Sequence, residues 1–403
     1  MSLDDLTRPA PVDHTTTPQA APGRAAAAAD RRYNLAFPGA TDITYPALAE
    51  LLTTRLLNNV GDPWQPGHGP NHTKEAERDV VRCIGQLFGA GDDVWGYVTT
   101  GATEGTLHAI DEALTAHPDT IIYASTAAHY SVAKAARLVR APLTLIGTNQ
   151  HGRMRLAELR HHLTANRQRA AMIVATVGTT EREAVDDVAG ITTRCDDLGI
   201  RRRRIHVDAA LAGIPLALLP VARRPTFGFT AGATSIVISG HKFLSTLMPC
   251  AVLAYPRPPT GHTQQPIPYI GAADTTITGS RSGHTPLLLS HALFHHGIDE
   301  HRARANGARD LAAHTVDALH RIGWPAQRLP DAFTITLDQP ATPLPRPWVL
   351  GGDSHTGRII CMPGIEPAWI DELLTDLAHQ RRGRTIPSPR RPSAPARATN
   401  TPR

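Results

Sequence analysis

The strongest constraint on how this chain folds is an alternation. Short β-prone apolar runs cover residues 95–100, 120–123, 143–147, 171–177, 205–208, 235–239 and 250–255, and most of them stop on Gly, Thr, Ser or Asp. Between them lie stretches with apolar residues at helical spacing: one opening at Ala102, with Leu107, Ile110 and Leu114 on one face, and others over residues 128–139, 155–163 and 187–198. The alternation of strand and helix predicts a mostly parallel sheet wrapped by helices, an α/β fold. Ligands of such sheets gather beyond the carboxyl ends of the strands. Thr100, His129, Thr179, Asp208 and Lys242 all stand at or just past a predicted strand end. That shared placement is the sequence-level argument for one site.

Lys242 is notable for its residue type. Of 41 Lys plus Arg residues only Lys74, Lys134 and Lys242 are lysine, so arginine serves wherever a generic positive charge is needed. An amine can form a Schiff base with a carbonyl group and a guanidinium cannot, so a lysine that survives this bias points to chemistry. Lys242 follows the strand of residues 235–239 directly, after Gly240 and His241. A second signal is the sequence Thr100-Gly101-Ala102-Thr103, small residues joining a strand to a helix. Free N–H groups and the helix dipole converge at such a point and suit an anion. The sequence matches neither a Walker loop nor GxGxxG, so no nucleotide is implied.

Composition excludes several classes. The net charge of +5 is concentrated in the last 23 residues, which hold seven arginines and no acid; the remainder has 34 basic and 36 acidic residues. A nearly neutral body offers no reason to invoke nucleic acid or an acidic membrane. Cys83, Cys195, Cys250 and Cys361 are scattered without metal spacing, which predicts reduced thiols in a cytoplasmic protein. No apolar run reaches the ~18 residues of a membrane span. The 21 histidines include the pairs His161-His162 and His295-His296, but these lack the spaced carboxylates or cysteines of a metal site, so no metal is predicted.

The expected organisation is an Ala/Pro/Thr-rich disordered arm over 1–30 and an N-terminal segment over 31–75. A large domain over 76–295, a small α+β domain over 296–380 and a disordered Arg/Pro tail over 381–403 complete it. Within it, a helix is expected over 45–57, a Gly/Pro-punctuated loop over 58–71, and a helix after His72 with Val80, Val81, Ile84 and Leu87 inward. Helices over 302–322 and 367–380 and a strand over 332–337 are expected further on.

Seven segments together carry a resemblance: NNVGDPW, WGYVTTGATEGTLHAI, HYSVAKAARL, VGTTEREAVDDV, HVDAALAG, ISGHKFLSTLMPC and TITGSRSGHTPLLL. In this order they resemble the pyridoxal-phosphate-dependent group II amino-acid decarboxylases, most nearly the bacterial histidine and plant serine decarboxylases. The resemblance implies the aspartate-aminotransferase type of fold (fold-type I), pyridoxal 5'-phosphate as cofactor, and a homodimer whose active sites both subunits build, with residues 31–75 helping to form it. It implies that Lys242 holds the cofactor through its amine and that Asp208 pairs with the pyridine nitrogen. It further implies that His129 stacks on the ring while Ala210 leaves room on the other face. Gly101, Ala102 and Thr103 would cradle the phosphate with Ser239 and His241, and Gly279 and Ser280 would reach it from the partner subunit. Thr179 would approach the cofactor, His72 would stand near the substrate entrance, and Tyr269 would open a mobile loop and return a proton to Cα.

The chain also departs from the family pattern. Ala102 stands where glycine is usual, Thr106 where an amide side chain is usual, Ser282 replaces asparagine in GSRSGH, and Ser290 replaces an aromatic. The expected reaction is decarboxylation of a free amino acid, with histidine, serine or a small aliphatic amino acid as substrate. The rival reading is a carbon–carbon lyase of the same fold, which shares the S-x-H-K and GSRxG elements; a catalytically dead paralogue fits poorly with Lys242, Asp208 and His129 all present.

Overall fold

A computed structural model describes residues 32–259 and 265–382. The expected arm, almost all of the expected tail and part of the Pro-rich loop after Tyr255 therefore lie outside the described residues. The alternation resolves into β2 (Trp95–Thr99), α3 (Ala102–Ala116), β3 (Ile121–Ser125), α4 (Ser131–Leu138) and β4 (Leu143–Ile146). It continues through α5 (Leu156–Ala165), β5 (Ala171–Thr176), α6 (Val188–Asp197), β6 (Arg203–Asp208), α7 (Gly213–Ala217), β7 (Ser235–Ser239) and β8 (Ala251–Tyr255). Before them come α1 (Ala49–Thr54), β1 (Asn58–Val60) and α2 (Lys74–Leu87).

The seven-stranded sheet has the order β2-β8-β7-β6-β5-β3-β4. Only β8 runs against its neighbours, β2 and β7; the other pairings are parallel. Helices cover both faces, and the period of two along each strand decides which residues meet them. Met172 and Val174 pack with Ile110 of α3 and Val132 of α4. Ile173 and Ala175 turn the other way, into the core that holds Val80 and Ile84 of α2, Leu159 of α5 and Ile191 of α6. Helix α3 lies unusually close to β7, because a Cβ at Gly105 would come within 2.6 Å of Val237 Cγ2. That proximity brings the start of α3 next to the end of β7.

A second, four-stranded antiparallel sheet has the order β10-β11-β13-β12, from β10 (Ala326–Arg328), β11 (Thr334–Asp338), β12 (Gly351–Gly352) and β13 (Thr356–Ile360). It packs its own core of Ile335, Leu337, Ile359, Leu319, Ile370, Leu373 and Leu377 against α9 (Gly297–Arg321) and α10 (Pro367–Arg382). The expected strand at 332–337 starts two residues late, because Asp331 adopts φ +64° and turns the chain first. The expected helix at 45–57 is only a 3₁₀ turn plus α1, since Asn58 already pairs in β1. Absent from the sequence reading are the short pair of β1 with β9 (Ser280–Ser282) and α8 (His284–Ser290), with the π-helical turn after it.

The loop after β5 fastens the two sheets together. Arg358 of β13 donates through Nη1 to the Thr180 carbonyl (2.7 Å) and to Glu181 Oε1 (2.9 Å). Glu183, itself at φ +58°, accepts at Oε2 from the Phe333 and Thr334 N–H groups (2.9 Å each) and the Thr334 hydroxyl (2.7 Å). Complete burial outweighs these donors and Arg309 and raises its pKa from 4.5 to about 7. A raised carboxyl pKa means that the fold favours the protonated form. This contribution is therefore complete below the unfolded value of 4.5 and is lost as pH rises through about 7. Between about pH 5 and pH 8, Glu183→Gln should thus gain stability relative to the parent, on the order of 3 kcal/mol. Denaturant unfolding of both proteins at the two pH values measures it; a difference independent of pH would contradict the assignment.

Candidate active site

The carboxyl ends of β2, β3, β5, β6 and β7 surround a cavity of about 170 Å³ lined by Gly101, Ala102, Thr103, His129, Asp208, Ala210, Ser239, His241 and Lys242. The structure thus brings together nine of the residues picked out from sequence. Lys242 follows β7, and burial lowers the pKa of its amine; Asp208 pulls it back up and Arg358 pushes it down. Its neutral, nucleophilic form is thereby favoured. Asp208, the last residue of β6, is 6% exposed, and its Oδ1 accepts the Ala210 N–H at 3.2 Å.

His129 stands past the end of β3. Its Nδ1 is 2.8 Å from Ser131 Oγ and 3.4 Å from the Ser131 N–H. The N–H can only donate, so Nδ1 accepts and the ring proton sits on Nε2. Burial lowers the His129 pKa, with Asp208 opposing and Lys242 reinforcing that shift, so at neutral pH the imidazole is uncharged.

The opposite wall is the start of α3. The N–H groups of Ala102 and Thr103 precede the first bond of the helix and remain available to an anion. Glu104 sets the turn: its Oε2 accepts from the Thr100 N–H (2.7 Å) and hydroxyl (2.8 Å), while Oε1 accepts from the Thr278 hydroxyl (3.2 Å). Thr176, Gly178, Thr180 and Leu211 also line the cavity and escaped the sequence reading. Their only signal was adjacency to strand ends. Thr176 Oγ1 is buried without a hydrogen-bond partner, as expected of a wall built for a polar group. A free anion cradle, an unpartnered hydroxyl, a carboxylate and an amine around one small space fit pyridoxal phosphate. Thr106, a departure from the family pattern, is fully buried with Oγ1 3.3 Å from His206 Nε2. It belongs to the packing under the cradle.

The remaining candidates lie elsewhere. Thr179 does not line the cavity; its hydroxyl accepts from the Ala184 N–H at 2.9 Å and closes the loop. His72, Tyr269, Gly279 and Ser280 share a second cavity of about 370 Å³ with Asn58, His68 and Lys74, and Tyr269 is 82% exposed. Lys74 is also buried, donating to the Asp62 and Gln65 carbonyls (3.1 and 3.0 Å). Among the described residues no cluster of three or more His, Cys, Asp or Glu is arranged to hold a metal.

Beneath the second cavity, Arg281 and Glu77 form a buried ion pair. Arg281 Nη2 donates to the Gly61 carbonyl (3.0 Å). Glu77 accepts from the Val98 N–H (2.8 Å) and Asn59 Nδ2 (2.7 Å). This network holds β1 and β9, and with them Gly279 and Ser280.

Sheet order, subsidiary sheet and cavity define an α/β enzyme of the aspartate-aminotransferase type. A family model described as the pyridoxal-dependent decarboxylase conserved domain matches residues 102–259. Histidine decarboxylase of Mesorhizobium japonicum is 35% identical over 86% of this chain and 94% of its own length. That of Pseudomonas entomophila is 32% identical over 85% and 87%. Among solved structures, L-methionine decarboxylase from Streptomyces sp. 590 superposes with a TM-score of 0.78 at 23% identity, covering 88% of this chain and 92% of that one. The chain belongs to the pyridoxal-dependent decarboxylase family and is a pyridoxal-phosphate-dependent carboxy-lyase of amino acids.

Removing one member of a buried ion pair strands the other charge and costs about 3–5 kcal/mol, whereas replacing both by apolar groups costs far less. Arg281→Met alone should therefore destabilise the protein by about that amount, and adding Glu77→Gln should recover part of the loss, because the amide removes the stranded charge and can still accept from the Val98 N–H. Denaturant melts of the single and double variants test this; a double variant no better than the single would deny the coupling.

Proposed function

We propose that this enzyme converts a free L-amino acid, with L-histidine the first candidate, into the corresponding amine and CO₂. The observation that carries the reading is the half-buried Lys242 amine within reach of the Asp208 charge, in a cavity walled by a helix N-terminus. Bound pyridoxal phosphate supplies the electron sink that makes loss of CO₂ from Cα possible. Lys242 would hold the cofactor through its amine, and Asp208 would pair with its pyridine nitrogen. His129 and Ala210 would wall the two faces of the ring, and Gly101, Ala102, Thr103, Ser239 and His241 would hold the phosphate. The histidine decarboxylases similar to this chain over most of its length support the choice of substrate.

A homodimer completes the proposal. His72, Tyr269, Gly279 and Ser280 of one copy would face the Lys242 cavity of the other, with the Tyr269 phenol placed to return a proton to Cα. The exposure of Tyr269 and of Leu56, 82% and 81%, supports a covered surface there. A cytoplasmic location accords with the four unpaired cysteines. Among the described residues no helix is long and apolar enough to cross a membrane.

Screening the twenty amino acids for amine formation in heavy water, by mass spectrometry, tests the reaction. The expected product is histamine with one deuterium at the former Cα. Pyridoxamine phosphate with an oxo acid would mark a transaminase instead, and an aldehyde from side-chain cleavage a carbon–carbon lyase. Borohydride reduction followed by peptide mapping should put the cofactor on Lys242; a label on Lys74 or Lys134 would overturn that role.

The Asp208→Asn variant should fold and retain cofactor while turnover falls roughly 10²–10³-fold, as when a preorganised charge is removed from a water-poor site. Turnover within a few-fold of the parent would remove Asp208 from the electron-sink role.

A further inference from the structure

The four residues from Lys242 to Ser245 are held by groups far away in sequence. The Lys242 carbonyl accepts from the Ala40 N–H at 3.0 Å, and the Phe243 carbonyl accepts from Arg304 Nη2 at 2.9 Å. The buried Tyr45 hydroxyl lies 3.3 Å from both the Leu244 and the Ser245 carbonyl oxygens. Three donors from outside thus serve the four carbonyls of the segment, the single Tyr45 proton being shared between two of them. Ser245 also donates through Oγ to the Ala40 carbonyl (2.8 Å). Its φ of +59° is in the left-handed region, which a serine adopts only when its surroundings hold it there.

The donors are themselves fixed. Arg304 Nε and Nη2 reach the two carboxylate oxygens of Asp42 at 2.6 Å each, and the guanidinium lies over the Phe243 ring, 4.8 Å from its centroid. Arg304 Nη1 is 2.9 Å from His301 Nδ1. Arginine only donates, so Nδ1 accepts and His301 Nε2–H donates to the Ala292 carbonyl at 2.7 Å. A bidentate pair locks the arginine in one plane.

We propose that Asp42, Tyr45 and Arg304 are positioning residues for Lys242. They fix the backbone from which the amine enters the cavity, and they tie its direction to helix α9 of the second sheet. The inference rests on the reading of Lys242 as the cofactor-holding amine. None of the three lines the cavity, so they act through the loop and touch neither substrate nor cofactor.

Tyr45→Phe and Arg304→Lys test it in the holoenzyme. Borohydride mapping should still find the cofactor on Lys242 in both. The midpoint of the pH titration of the cofactor's visible absorbance should move by about half a unit or more, since a misdirected amine loses part of its coupling to the Asp208 charge. Amide exchange in the peptide spanning 240–246 should quicken about tenfold as its outside bonds are lost. kcat should fall about tenfold with KM within about threefold, as for a loss of alignment. Folded variants with the parent's midpoint and exchange rate overturn the positioning role while leaving Lys242 in place. A parent enzyme labelled elsewhere than Lys242 overturns both. Should Arg304→Lys fail to fold, Tyr45→Phe decides alone, because it removes one hydroxyl and keeps the shape of the ring.

Discussion

A half-buried amine just past the end of a strand is the constraint to which the rest of this structure answers. Moving a cationic lysine out of water is costly, and the cost is reduced when the amine gives up its proton or meets a carboxylate. Here burial favours the first outcome, and Asp208, at the end of the adjacent parallel strand, favours the second. The two tendencies leave a group that can act as a nucleophile beside a charge that can steady a cationic ring. Such a balance needs a rigid frame. β7 provides one: all five of its residues are buried, and it is paired on one side with β6 and on the other with β8.

Much of this frame was legible in the sequence. The bounds of β7 are those expected, because a β-branched run there ends sharply at Gly240. β2, β5 and β8 fall within a residue of expectation for similar reasons. The convergence of His129, Asp208 and Lys242 followed from one rule about strand ends. The reversal of β8 was hidden, because a short apolar run reads alike in either direction. So was the pairing of β1 with β9, since Asn-Asn-Val and Ser-Arg-Ser carry little strand preference and are held by the buried Arg281 and Glu77. The rarity of lysine proved an uneven guide to chemistry: Lys134 is exposed, and Lys74, as enclosed as any core residue, serves backbone carbonyls.

Charges buried away from the cavity share a logic. Glu183, Glu104 and Glu77 each accept two or more hydrogen bonds, and each joins segments that the sheet itself does not connect. Glu183 links the loop after β5 to β11, Glu104 links the cradle to the segment carrying Thr278, and Glu77 links α2 to β2 and β9. A carboxylate can gather several donors at one point where an apolar side chain can only fill space. Apart from the contact of Glu104 with Thr100, four residues away, these partnerships leave no trace in local sequence pattern, because the partners are far apart along the chain.

The hold on Lys242 also bears on when the site can form. Ala40 is made long before the lysine, but Arg304 lies 61 residues beyond Phe243 and reaches back 262 positions to Asp42. A ribosome that has just released the segment carrying Lys242 has not yet released its last anchor. Contacts of such long range are closed late, after the loop entropy between them has been overcome. The lysine is therefore expected to take up its final direction only once helix α9 has docked, and a chain interrupted before Arg304 would lack that anchor.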